Sequence, residues 1–222
     1  MTRISDALIP PGSFQKRLEY LRYSDQLFQG SLPAKITERE IRYNEYLAAN
    51  PHPNLYQYYG VTEDLGYVMS LVFKKYSCDL QQFVDNCRKY VVEDVFAQLS
   101  GAVEHIHRLK LVHVDIKPEN VFVDEESDPV KFVLGDFDSM HAEEEKRNRK
   151  WATKGWTDEE ISSKGIAVKE MDWYGLNKIK DWLKEKKATQ KGREERQKKI
   201  EAFKKKEARK DERGTRRKLD GG

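Results

Sequence analysis

The stretch HVDIKPENVFVD, residues 113–124, sets Asp115, Lys117 and Asn120 on one short segment, immediately before the apolar run Val121–Val123. Transfer of a phosphoryl group needs an oriented nucleophile and cations on the phosphates, with little covalent chemistry from the protein. Asp115 suits a base that accepts a hydroxyl proton, Lys117 an ammonium beside the moving phosphate, and Asn120 a carbonyl oxygen offered to Mg2+. Asp136, 21 residues after Asp115, adds a carboxylate ligand. VFVD and KFVLGD flank the turn EESDPV and read as a small hairpin, which brings the two loops to one metal site. Hard oxygen donors suit Mg2+ and give no reason to expect zinc.

Upstream, VEDVFAQLSGAVEHIHRLK carries Val95, Leu99, Val103 and Ile106 at helical spacing, and CDLQQFVDNCRKY reads as a second helix. LYQYYGV and GYVMSLVF, rich in aromatic and β-branched residues, read as a hairpin across TEDLG. A helix is expected over Ile36–Ala49, with Thr37 as its N-cap and Glu40 three residues on. Residues 1–35 show no clear period and are broken by Pro10, Pro11, Gly12, Gly30 and Pro33, although FQKRLEYLRYSDQLF suits a short helix. Downstream come the polar SMHAEEEKRNRK, then WATKGWTDEEI, then a helix around MDWYGLNKIKDWL.

HVDIKPEN resembles the catalytic loop of eukaryotic protein kinases, His-Arg-Asp-x-x-x-x-Asn, with Asp115 and Asn120 at the family separation. DFD at 136–138 resembles the metal-binding DFG, and ATKGWTDEE the close of an activation segment, with Thr153 and Glu160 in matching places. Asp172 matches the Asp of the following buried helix, while HPNL, YVMSLVF and DLQQF are similar to elements upstream of the loop. The resemblance covers about residues 36–177 and implies an α+β, bilobal protein kinase-like fold: a reduced small lobe and a mainly helical large lobe. It implies ATP and Mg2+ as cofactors and phosphoryl transfer to a serine or threonine hydroxyl of a protein substrate, since Lys117 and Pro118 resemble serine/threonine-directed members. Asp115 and Lys117 are then catalytic, and Asn120 and Asp136 bind metal. Phe73 takes the gatekeeper position, Lys74, Lys75 and Tyr76 belong to the hinge beside adenine, and Asp79 lies near the ribose. His113 is expected to pack under Phe137, and Thr153 beside Asp115.

Several positions depart from the family pattern. Residues 1–35 hold no GxGxxG, and neither Lys16 nor Lys35 follows a Val-Ala-Ile-like strand, so the lysine that pairs with a helix glutamate is missing. Glu40 is the best-spaced glutamate, with Glu38 and Glu45 as alternatives. Val114 replaces the loop Arg that ordinarily meets a phosphate on the activation segment, so control by phosphorylation there is less expected. Asp138 replaces Gly, and Asp158–Glu159 replace Ala-Pro. A cationic tail stands where later large-lobe helices are expected. The alternative reading is therefore a pseudokinase, or truncated kinase, that works by binding partners.

The chain has 222 residues, 38% of them hydrophobic, with 41 Lys+Arg against 38 Asp+Glu. Residues 178–222 hold 19 basic and 9 acidic side chains, a net of +10, which leaves 22 basic and 29 acidic, about −7, in the first 177. Three parts are expected: an N-terminal segment 1–35, a kinase-like domain 36–177 and a basic tail 178–222. The tail reads as a solvated helix or a disordered segment, with contact to nucleic acid or another polyanion as the functional alternative. Cys78 and Cys87, without a nearby His, suggest neither a zinc site nor a disulfide framework. No apolar run is long enough to span a membrane and no secretory leader is visible, so a cytoplasmic or nuclear protein is expected. His105 and His107, one residue apart on a helix, face different ways and suit structural or surface roles.

Overall fold

In the computed structural model, residues 1–5, 8–18, 32–146 and 152–219 are described. They form two compact units, Met1–Lys180 and Asp181–Gly222.

In the first unit, strand β1 (Phe14–Arg17) opens the sequence of elements, where the sequence suggested helix; the remainder of that suggested helix, residues 19–28, lies outside the described residues. Helix α1 (Leu32–Ala49) follows, then β2 (Tyr58–Asp64) and β3 (Tyr67–Phe73). β2 and β3 form the expected antiparallel hairpin, and Leu65 and Gly66, both at positive φ, make its two-residue turn. β1 pairs with the other side of β3, with Phe14 opposite Phe73 and Lys16 opposite Leu71, so the sheet runs β1-β3-β2. One face of α1 buries Glu40, Ile41, Asn44 and Leu47 at helical spacing. Ile41 joins Tyr58, Val61, Leu71 and Phe73 in the core between helix and sheet. The helix begins four residues before Ile36, so Thr37 lies inside it and is not its N-cap.

Residues 74–77 lead to β4 (Cys78–Asp79) and α2 (Leu80–Asp85). The carboxylate of Asp79 accepts the Gln82 N–H at 2.7 Å and caps α2. α2 ends at Asp85, well short of Tyr90. α3 (Val92–Arg108) buries Val95, Leu99, Val103 and Ile106, the stripe its spacing predicts. β5 (Leu111–Val112) precedes the loop of residues 113–120, and β6 (Val121–Asp124) and β7 (Lys131–Leu134) form the expected second hairpin. β4 adds to β6, and β5 pairs with β8 (His141–Ala142). α4 (Glu159–Ser163) is capped by Asp158, and α5 runs from Lys169 to Leu219. Its first turns bury Met171, Asp172, Leu176 and Ile179. The result is a small sheet-and-helix lobe and a larger, mainly helical one.

Over Asp181–Leu219 the backbone is helical. Among the described residues no helix is long and apolar enough to cross a membrane.

Candidate active site

Lys16 is the first correction to the sequence reading. Its Nζ donates to Glu40 Oε1 at 2.7 Å and to Asp136 Oδ1 at 2.9 Å, and stands 3.7 Å from Asp138 Oδ2. A lysine partner for Glu40 therefore exists, on β1. Burial alone would favour the neutral amine, but the charges of Glu40 and Asp136 outweigh it and hold the Lys16 pKa above its ordinary value. The geometry also decides among the glutamates. Glu38 pairs with Arg42 at the surface, and Glu45 accepts from Thr2 and Tyr58, which leaves Glu40, 5% exposed, on the lysine.

The loop after β5 is fixed from below by Asp172, which is fully buried. Its Oδ2 accepts the His113 N–H at 2.9 Å, its Oδ1 the Val114 N–H at 2.8 Å, and His107 Nε2 lies 2.8 Å from Oδ2. These bonds hold Val114 at φ 74°, a conformation a β-branched residue rarely adopts. The Val114 side chain packs with Val112, Ala167 and Met171. His113 Nε2 donates to the Gly135 carbonyl at 2.9 Å while its Nδ1 accepts the Asp115 N–H at 3.3 Å, so both ring nitrogens are engaged. Its ring meets Phe137 edge-on at 5.6 Å, as expected.

Asp115 is buried under the cleft but well supplied with donors. Oδ1 accepts the Thr153 N–H at 2.7 Å, and Oδ2 lies 3.1 Å from Lys117 Nζ and 3.3 Å from Asn120 Nδ2. Lys117 Nζ also donates to Thr153 Oγ1 at 2.9 Å. Asn120 Nδ2 donates to the Asp115 carbonyl at 2.8 Å. With its amide nitrogen committed there, Asn120 keeps its carbonyl oxygen for a cation. Asp136, in the left-handed region at φ 60°, brings its carboxylate to Lys16.

Lys16, Asn120 and Asp136 line a cleft of about 240 Å³ whose apolar walls include Phe14, Phe73 and Phe122. Tyr56, which sequence reasoning placed only among strand aromatics, closes its back. The ring meets Phe122 at 4.5 Å and Phe73 at 4.9 Å, both edge-on, and lies over Gly135, where an added Cβ would come within 2.4 Å of it. Lys74, Lys75 and Tyr76 line neighbouring surface and not this cleft. Lys74 pairs with Asp124, and the Tyr76 hydroxyl accepts the Gln57 N–H at 3.3 Å. Asp79 serves its helix cap.

Among the described residues no three His, Cys, Asp or Glu side chains are placed to hold a metal ion by themselves. One carboxylate and one amide oxygen fit Mg2+ in the manner of nucleotide sites, where phosphates and water complete the shell. The adjoining apolar slot suits a flat aromatic base, and Lys16 suits phosphate.

The protein kinase domain family model matches residues 24–218. Over 122 residues the chain is 34% identical to the Saccharomyces cerevisiae serine/threonine-protein kinase SKS1, a match that covers 50% of this chain and 24% of that protein. Over 144 residues it is 31% identical to the Caenorhabditis elegans membrane-associated tyrosine- and threonine-specific cdc2-inhibitory kinase wee-1.3, covering 60% of this chain and 20% of the relative. The chain thus spans about a quarter or less of the length of these curated relatives. A crystal structure of the yeast RNA Pol II CTD kinase CTDK-1 complex contains a similar fold, with a TM-score of 0.63 and 18% identity, over 78% of this chain and 55% of the other. With a domain match over most of its length and a two-lobed fold, the chain belongs to the protein kinase family.

Proposed function

We propose that the chain transfers the γ-phosphoryl group of ATP to a serine or threonine hydroxyl of a protein. The observation that carries this reading is the bridge from Lys16 to Glu40 and Asp136, which joins the small lobe to the metal loop. Lys16 places one cation where phosphate oxygens must lie, and Glu40 fixes its ammonium. Asn120 and Asp136 hold Mg2+, which when bound neutralises charge on the phosphates. Asp115 accepts the proton of the attacking hydroxyl, its carboxylate oriented by the Thr153 N–H and Asn120. Lys117, shared between Asp115 and Thr153, sets a second cation beside the transferring group. Phe14, Phe73 and Phe122 exclude water from the base.

Mg-dependent nucleotide binding and phosphate incorporation by the purified chain, beside Asp136→Asn, test the proposal. Both are expected for the native chain and neither for the variant. Binding without incorporation would favour the pseudokinase reading, and absence of both would end the enzyme reading. For the basic tail, its net of +10 supports contact with a polyanion. Salt-dependent binding to duplex and single-stranded nucleic acid that survives deletion of residues 184–222 would refute that part. Use of Mg-ATP on protein hydroxyls fits a cytoplasmic or nuclear location, which cell fractionation tests.

A further inference from the structure

Helix α1 holds Glu40 on Lys16, and Arg39, one residue before Glu40, ties that helix to the segment following Asp138. Arg39 Nε donates to the Met140 carbonyl at 2.9 Å. Its NH1 and NH2 donate to Glu145 Oε1 at 2.9 Å and Oε2 at 2.8 Å, a bidentate pair. The fork is built on both sides. The guanidinium lies 5.3 Å from the Tyr43 ring centre, and Glu145 Oε2 also accepts the Ala142 N–H at 3.0 Å. Burial works against the Glu145 carboxylate, but the Ala142 N–H and Arg39 outweigh it and keep its pKa below the ordinary range. The side chain before Asp115 offers no alternative anchor for an anion, because Val114 is 2% exposed in an apolar cluster.

We propose that Arg39 and Glu145 are the positioning pair that keeps α1 in place with Glu40 on Lys16, and that this unmodified carboxylate makes phosphorylation of the segment unnecessary. The proposal rests on the phosphoryl-transfer reading for its consequence, though not for its geometry. A planar guanidinium fork tolerates little rotation, so the pair fixes the helix in orientation as well as distance. Because both side chains belong to the sequence itself, the hold of the pair does not depend on an added group. Neither residue touches the reacting atoms, and both act through Glu40.

The test uses the full chain, free of phosphate by mass measurement, as native protein, Glu145→Ala, Glu145→Asp, Glu40→Gln and the Glu145→Ala/Glu40→Gln double variant. Hydrogen exchange over residues 38–49 reads the position of α1 directly, and phosphate transfer reads its consequence. Glu145→Ala is expected to speed α1 exchange about tenfold and to lower kcat about ten- to a hundredfold with little change in the KM for protein substrate. Glu145→Asp recovers part of both. Since Glu145 and Glu40 act through one ion pair, the double variant loses little more kcat than Glu40→Gln alone. Unchanged α1 exchange in Glu145→Ala, losses that multiply in the double variant, or a native chain that gains activity only when phosphorylated would each overturn the proposal. A native chain with no transfer under any condition ends the phosphoryl-transfer reading and the proposal's catalytic half, while the exchange measurement still decides whether the pair positions α1.

Discussion

Gly135→Ala probes the wall of the cleft at a single methyl group. The new Cβ would stand 2.4 Å from Tyr56 Cδ2 and 2.9 Å from its Cβ and Cγ, well inside contact distance, so the ring must leave its seat. Leaving disrupts edge-on contacts to Phe122 at 4.5 Å and Phe73 at 4.9 Å, each worth about 0.5–1.5 kcal/mol. Overpacking at such a site costs about 1–3 kcal/mol by itself, and a total near 3 kcal/mol is expected. Tyr56→Ala removes Cδ2 and Cγ and leaves only the Cβ contact at 2.9 Å, at a cost of its own of about 3 kcal/mol. In that background Gly135→Ala meets only the Cβ at 2.9 Å and should cost about 1 kcal/mol, which gives a coupling of about 2 kcal/mol between the two positions. Urea unfolding of the four chains measures the cycle. Additivity within about 0.5 kcal/mol, or a Gly135→Ala variant as stable as the native chain, would refute the seating of Tyr56 over Gly135. The same ring lines the base slot, so Tyr56→Ala should also bind purine nucleotides enlarged on the base more tightly than the native chain does.

Asp172→Asn replaces one buried acceptor oxygen with a donor and leaves the His113 or Val114 N–H without its partner. A loss of about 2–4 kcal/mol in urea unfolding is expected, and a change below about 0.5 kcal/mol would contradict the role given to Asp172. Acid should destabilise the fold through Asp124 and Glu45. Burial raises both pKa values, but hydrogen bonds from Lys74 and Ser127, and from Thr2 and Tyr58, outweigh it and hold both below the ordinary range. Groups depressed on folding contribute stability above their unfolded values and lose it as pH falls through the folded ones. The urea midpoint should therefore hold steady down to about pH 5 and drop below about pH 4; a midpoint that is flat to pH 3, or that rises, would contradict this sign.

The residues most legible in the sequence were those whose partners are close along the chain. Asp115 and Asn120 share one turn, and the stripe of α3 repeats within one helix, so local spacing carried both. Lys16 is not legible in the sequence because its partners lie 24 and 120 residues away and its strand is four residues long and mostly polar. Phe14, Leu18 and Leu21 stand at helical spacing, which favoured helix there. Pro33 reads as a breaker in the sequence, although proline is tolerated in a helix's first turn, where its absent N–H would have no partner. α1 accordingly begins at Leu32. Arg39 and Glu145, 106 residues apart, left no local trace of their pairing. Asp79 caps α2 through the Gln82 N–H three residues on, a local pairing of the kind a sequence shows.

The most direct measurement of the central claim is transfer of labelled phosphate from Mg-ATP to protein by the native chain, Lys16→Met and Lys16→Arg, with nucleotide binding and urea unfolding followed in parallel. The bridge from Lys16 to Glu40 and Asp136 predicts incorporation by the native chain. It predicts loss of about a hundredfold or more in Lys16→Met, and a loss in Lys16→Arg as well, in proteins that remain folded. A folded Lys16→Met chain that binds Mg-ATP and transfers phosphate at the native rate would contradict it.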